Sequence, residues 1–354
     1  MRAICCSTLF LLALAVCTAD TVPERAFRLA VLPDSDCFFL CENAALVGTT
    51  AQGMLSLFNQ SSPTDLEGSS PRGTMMAFLA AVNRQLPFND IKAVKRSQGS
   101  FAFAGANPAT RGDGRFFYAW ELFRPLDPGE VQRIILAEAQ NCTLRVQVQP
   151  GAQPGTLEIS FPDRPELPTQ GMAFLAENTV ILLGPAENLE TVLDDIAQSL
   201  PGKGLPTALQ AAKAKVPAGS NFYALFVPNA AMKAAAMKRA DQAPQAGLVN
   251  DMDNLVFALN AGPQTDVTLG MKFANAQSAT LGKSMLIDGV FLGMLKMHLL
   301  QLSEKPIPML ETMKSDLKGT DAVFTCTISP GDLQTLETLS QNLRQRIRAM
   351  MNHD

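Results

Sequence analysis

The apolar positions of this chain fall into two series of the same form. In the later series, the run NFYALFV predicts a strand over 221–227, and an alanine- and methionine-rich segment predicts a helix over 229–240. Two strands follow, at 254–260 and 266–274, set off by a Gly/Pro/Asn turn. A long apolar segment predicts a helix over 276–301, and its almost all-round apolarity calls for cover on more than one side. A strand over 321–328 and a helix over 330–350 close the series, with Ser329 suited to cap that helix and Pro330 in its first turn. The first six elements spell β-α-β-β-α-β, the split-βαβ or ferredoxin-like order, with a C-terminal helix added.

The earlier series carries the same order with insertions, among them a helix at 73–86 and extra hairpins. SDCFFLCENAAL from Ser35 parallels SNFYALFVPNAAM from Ser220. SFAFAGANPATRGDGRFFYAWEL from Ser100 parallels NLVFALNAGPQTDVTLGMKF from Asn254, and ILLGPAENLETVLDDIAQSL from Ile181 parallels FTCTISPGDLQTLETLSQNL from Phe324. Three matches in one order predict a duplication. One inserted hairpin, MAFLAENTVILLG from Met172, has Glu177-Asn178 as its two-residue turn. The expected architecture is α+β: a first unit over 20–200, a connector over 201–219 holding a short Ala/Lys helix, and a second unit over 220–354. Each unit is expected to be a largely antiparallel sheet with helices packed on it.

Residues 1–19 read differently. Arg2 precedes the uncharged run AICCSTLFLLALAV, and Cys17-Thr18-Ala19 supplies small residues at a cleavage site. This is the pattern of a secretory signal peptide cut after Ala19, which predicts a periplasmic or secreted protein starting at Asp20. Lipidation at Cys17 is the alternative, and Val16 ahead of it argues against it. No transmembrane span is expected in the mature chain. Its most apolar stretch, MLIDGVFLGMLKMHLL, is 16 residues long and interrupted by Asp288, Lys296 and His298, against roughly 20 apolar residues for a span.

Export changes how the cysteines are read. Cys5, Cys6 and Cys17 leave with the leader, and Cys37, Cys41, Cys142 and Cys326 remain. They either pair, in one of three connectivities, or stay as buried thiols. Cys37 and Cys41 have a zinc-like spacing but lack a second pair or a nearby histidine.

The chain is 47% hydrophobic and 18% charged, and its net charge of −4 becomes −5 without Arg2. A mildly acidic chain with no basic block argues against nucleic acid and anionic membrane as partners. Sixteen methionines and 20 phenylalanines against two tyrosines and one tryptophan suggest a plastic apolar interior. The same counts argue against an aromatic sugar-stacking platform, with Trp120 a candidate for an exposed ring.

No catalytic, metal or cofactor set emerges. Gly282, Gly289 and Gly293 lie seven and four residues apart, one face of the 276–301 helix, with Met297 further along. Glycine costs about 1 kcal/mol each in a helix, so a close approach is expected there. It comes from the chain's own sheet or helices, or from a partner helix or lipid-like ligand. Met294 and Met297 do not complete a copper site with His298, which lies about 100° further round the helix. The other histidine is His353. With one well-placed histidine and no GxSxG elbow, a serine hydrolase is not indicated. Ser315-x-x-Lys318 stands alone, and Gly202-Lys203-Gly204 lacks the Walker spacing. Asp34-Ser35-Asp36 and Asp251-Met252-Asp253 do not continue into a calcium loop. Arg111-Gly112-Asp113 reads as a turn. Asn59-Gln60-Ser61 and Asn141-Cys142-Thr143 are glycan acceptors only in a eukaryotic secretory pathway.

Three segments, LPDSDCFFLCENAAL, NDIKAVKRSQGSFAFAG and MAFLAENTVILLGPAENLETVL, resemble a loose group of uncharacterised exported bacterial proteins with duplicated α+β units. The resemblance implies a fold and a compartment and lends no activity. The functional expectation is a non-catalytic binding or assembly module at the cell envelope, its partner another envelope protein. One alternative, a carrier of an apolar or lipid-like ligand, needs an enclosed cavity of roughly 300 Å³ or more. The other, an enzyme, needs convergent titratable groups with shifted pKa values in a cleft.

Overall fold

The strands of both series join one sheet. The computed structural model describes residues 21–44, 84–90, 92–103, 115–165, 167–198, 204–239, 244–293 and 307–335, with isolated positions at 47, 78, 81, 82, 296, 297, 300 and 338. Residues 1–20, Asn59–Ser61, most of the segment expected as a helix over 73–86, Arg111–Asp113, Met294, His298, His353 and the end of the segment expected as a helix over 330–350 lie outside the described residues. Among the described residues the class is α+β, helices with an antiparallel sheet, and no helix is long and apolar enough to cross a membrane.

The strands of the earlier series are β1 (Cys37–Cys41), β2 (Val94–Ala102), β3 (Arg115–Leu122), β4 (Gln147–Pro150), β5 (Thr156–Ser160), β6 (Gln170–Leu175) and β7 (Val180–Pro185). The later series supplies β8 (Phe222–Phe226), β9 (Met252–Asn260), β10 (Thr265–Phe273), β11 (Lys314–Lys318) and β12 (Asp321–Ile328). Their order across the sheet is β11-β12-β10-β9-β8-β1-β2-β3-β7-β6-β5-β4. The seam between the series is the antiparallel pair β1–β8, centred on Phe39 opposite Ala224.

The ferredoxin-like expectation is corrected in its strand order. Strands 221–227, 254–260, 266–274 and 321–328 do share a sheet, but they lie side by side as β8-β9-β10-β12, each antiparallel to the next. The reason is the parity of the crossovers. One helix after β8 would carry the chain back to start a parallel strand. A second helix follows the first, Ala230–Arg239 (α5) and then Pro244–Asp251 (α6), and returns the chain to the end it left. Two separate sheets are likewise replaced by one, because β1 and β8 pair.

Helices cover both faces. On one face lie Pro128–Asn141 (α2), α6, Ala276–Gly282 (α7) and Met309–Thr312 (α8), over a core that includes Ile134, Met172, Ile181, Phe273, Ile287 and Phe324. On the other, Val22–Leu29 (α1) and Ala186–Ala197 (α3) pack on Phe117, Ala119, Ala173 and Leu182. The expected Ala/Lys helix of the connector, Thr207–Lys213 (α4), buries Leu209 and Ala212 against Tyr223, Leu225 and Val256. It is part of the core and no free spacer.

Buried polar side chains dock α1 onto β2. The last carbonyls of a helix lack intrahelical donors. Gln98 Nε2 donates to the carbonyls of Phe27 (2.6 Å) and Ala30 (2.9 Å), and Ser100 Oγ accepts from Leu32 N at 2.9 Å. Arg96 lies 4.2 Å over the Phe27 ring and pairs with Glu24 (2.9 Å) and Glu121 (2.7 Å).

Two local expectations change. The hairpin between β6 and β7 turns through four residues, Ala176–Thr179, because Leu175 and Val180 are the last pair. Thr179 N donates to the Ala176 carbonyl at 3.2 Å, so Glu177-Asn178 keep the expected central place with positive φ (57° and 64°), and Ala176 (48°) extends the left-handed stretch by one residue. The 276–301 helix starts under an Asn275 cap (Ser278 N to Oδ1, 2.8 Å) and widens into a π-helix over Lys283–Gly293. Nor is it completely buried: Ile287 faces the core, while Leu281 (45% exposed), Met297 (50%) and Leu300 (61%) face outward.

Candidate functional site

The glycine face divides. A Cβ on Gly282 would stand 2.2 Å from Phe273 Cζ, so the chain's own sheet makes the close approach there. Gly289 and Gly293 are exposed, and among the described residues a Cβ on them meets only the helix's own carbonyls, Ser284 O at 3.2 Å and Asp288 O at 3.3 Å. The expected shared face with Met297 is therefore corrected. A π turn holds more residues than an α turn, so seven residues no longer close two turns, and Gly289 rotates away from Gly282.

That same wide turn lets Lys283 Nζ reach Asp288 Oδ2 at 2.7 Å, five residues on. Ser315 Oγ donates to Asp288 Oδ1 at 2.6 Å, which ties β11 to the helix and gives Ser315 a structural role. Burial opposes the charge of Asp288, but the Lys283 and Ser315 hydrogen bonds and the Lys283 charge hold its carboxyl below the ordinary range.

Among the described residues, Cys37, Cys41, Cys142 and Cys326 are free thiols. Cys37 and Cys41 lie on one face of β1, roughly 13 Å apart by strand rise, beyond the reach of a disulfide. Burial, helped by Asp36, pushes Cys37 up to about 11, and burial pushes Cys41 up to about 11 against a backbone hydrogen bond at Asn43. Burial also raises Cys142 and Cys326. Neutral buried thiols are poor nucleophiles and metal ligands, and among the described residues no cluster of His, Cys, Asp and Glu could hold a metal.

These thiols set an alkaline limit on stability. Below the ordinary value of 9.0 both folded and unfolded chains keep their protons, and the thiols add no pH dependence. Between that value and about 11 the unfolded chain loses protons that the native state retains, so stability falls as pH rises. The slope is at most about 1.4 kcal/mol per pH unit per thiol. Urea unfolding from pH 8 to 11 is expected to show this fall, and a C37A/C41A chain is expected to flatten it. An equal slope in both chains would refute the assignment.

Among the described residues, two depressions can be traced. One, between β5, β6 and α3, measures about 10 Å³. The other, about 510 Å³, is an open trough on β10, β12 and β11 lined by Asp266, Thr268, Lys314, Thr325 and Thr327 among others. Its polar lining is ordinary for the solvated face of an antiparallel sheet.

The feature that sets this sheet apart is a belt of aromatic rings across β9, β8, β1, β2 and β3. Phe257 meets Phe222 edge-on at 6.1 Å, and Phe222 stacks on Phe39 at 6.5 Å. Phe39 reaches Phe101 and Tyr118, both at 6.2 Å, and Phe101 continues to Phe103 at 6.4 Å. Tyr118 touches Phe116 (5.4 Å) and stacks on Trp120 (5.1 Å), which stacks on Phe88 at 4.3 Å. On the opposite face of these strands Phe38, Leu225, Phe117 and Ala119 are sealed. The rings at 39, 101, 103, 116, 118, 120, 222 and 257 are all partly exposed.

Composition argued against an aromatic platform because tyrosine and tryptophan are scarce. Phenylalanine supplies most of the rings beside Tyr118 and Trp120, drawn from both series by a seam that no local pattern announces. The readable signal was the period of two at Phe116, Tyr118 and Trp120 in RFFYAW and at Phe101 and Phe103 in SFAF. Comparison with protein-family models, with curated proteins and with solved structures found no match to this chain.

Proposed function

We propose that the chain is an exported, non-catalytic binding or assembly module that engages a partner through the aromatic belt. The observation behind this reading is the belt itself: partly exposed rings on the central strands, where the less covered face of an antiparallel sheet ordinarily carries polar side chains. None of these rings is fully exposed, and Trp120, Phe222 and Phe257 lean on the neighbouring core, but a contiguous apolar layer with its edges in solvent is the kind of surface that marks interaction sites. Export rests on the 1–19 leader, and another envelope protein is the partner class that compartment favours. The carrier alternative requires an enclosed apolar cavity, whereas the belt is a partly exposed layer of rings on a sheet.

The proposal includes two related units, over 20–200 and 220–354. In its support, β1, β2, β3 and β7 step away from the seam in the order that β8, β9, β10 and β12 do on the other side. Asp36 and Asn221, equivalent in the two series, play matching parts. Asp36 Oδ2 accepts from Phe103 N at 2.9 Å, and Asn221 Oδ1 accepts from Ala261 N at 2.8 Å. Their carbonyls accept from Val227 N and Glu42 N across the seam, both at 2.8 Å.

The test is capture from an envelope extract by the mature chain and by F101S/Y118S, with mass spectrometry for proteins and lipids. A partner held by the native chain and lost by a variant of similar melting temperature supports the belt. Identical captures by both chains would sink it. N-terminal sequencing of exported protein is expected to start at Asp20.

A further inference from the structure

We infer that the seam carries a size code that pairs unlike halves of the chain, with Cys37, Phe39 and Cys41 on β1 read against Phe226, Ala224 and Phe222 on β8. These residues form the three belt-face pairs of the seam: Cys37 opposite Phe226, Phe39 opposite Ala224, and Cys41 opposite Phe222. Along β1 the sizes run small, large, small; along β8 they run large, small, large. Every ring thus lies beside a small residue. In the central row the pattern continues outward, with Phe39 flanked by Gly99 of β2 and Ala224 by Phe257 of β9; in the outer rows it is kept at the seam but not throughout beyond it, since Cys41 lies beside Ser97, and Phe222 and Phe226 lie beside Leu259 and Leu255. A Cβ on Gly99 would stand 2.4 Å from Phe39 Cε1, so the Phe39 ring fills the space that this glycine leaves. The other face shows no such alternation: Phe38 opposes Leu225, and Leu40 opposes Tyr223.

The code gives Cys37 and Cys41 a role that neither a disulfide nor a metal supplies. They are the small members of two pairs, and their spacing of four brackets Phe39. It also sets the partner of each strand. A β8 strand paired with a second β8 in this register would crowd four rings into six positions, with Ala224 facing Ala224. A β1 strand paired with a second β1 would leave two rings, Phe39 facing Phe39, and thin ends. Only β1 with β8 supplies three rings to three gaps. The device stands apart from the binding reading, since it concerns how the belt is assembled and not what it holds.

The experiment is a reversal of sign in the full chain. Cys41→Leu is expected to lower the melting temperature by about 3 °C or more when Phe222 is present, through overpacking. In the F222A background the same substitution fills the vacated space and is expected to raise it. Ala224→Leu is expected to behave likewise, lowering the melting temperature in the native chain and raising it with F39A, and this pair is read where F222A does not fold. A change in the same direction in both backgrounds would overturn the code.

Discussion

Replacing Gly282 with leucine is expected to cost about 3 kcal/mol of stability, the upper end of the usual range for overpacking, while Gly289→Leu is expected to stay within about 1 kcal/mol. Gly282 ends α7 directly above Phe273, a residue with no solvent exposure. A Cβ there would lie 2.2, 2.5 and 3.0 Å from three carbons of that ring. The ring is held by its strand and has nowhere to move, so the helix must lift and lose its cover of β10. Gly289 is exposed. The helix propensity that leucine gains over glycine, up to about 1 kcal/mol, offsets crowding against the Ser284 carbonyl. Urea unfolding of the two variants is the measurement. A Gly289→Leu chain as unstable as Gly282→Leu would mean that something covers the outer face.

Asp332→Ala is expected to cost about 3 kcal/mol, through unpaired buried donors and a lost helix cap. Asp332 is 3% exposed and accepts from Ser329 N (2.9 Å), Ser329 Oγ (2.6 Å) and Met309 N (3.0 Å). Its own N–H donates to Ser329 Oγ at 3.1 Å, which closes a reciprocal capping box at the start of the last helix. One carboxylate therefore ends β12, starts the helix and anchors α8. Asp332→Asn keeps the shape but loses acceptor capacity and is expected to recover part of the loss. If thermal unfolding of Asp332→Ala stayed within about 0.5 kcal/mol of the native chain, the level of an ordinary surface change, the anchoring role would be wrong.

Much of this was legible in the chain because it is local. Alternation at 254–260 and 266–274 marked β9 and β10 to within two residues, since a strand with one buried face repeats every second position. Ser329 could be read as a cap from its neighbours alone. Among the elements that escaped notice, two did so for a related reason. α6 has no apolar stripe, and β11, KSDLK, is an exposed edge strand whose charges suit an unpaired border. The phase of Gly282, Gly289 and Gly293 was misread because an ideal α-helix was assumed where the backbone widens.

The sequence by itself determined the α+β class and much of the alternation of strands and helices, because these follow from periods and turns within a few residues. Tertiary structure decided the rest. The helix pair after β8 set the strand order, since the parity of a crossover depends on an element that composition did not reveal. Pairing of β1 with β8 made one sheet of two and brought together rings up to 218 positions apart, from Phe39 to Phe257. Hydrogen bonding between edges is blind to side chains, so the partner of a strand is chosen by how the side chains of both fill one layer. At this seam three small residues meet three large ones, a match that exists only once the two strands are side by side.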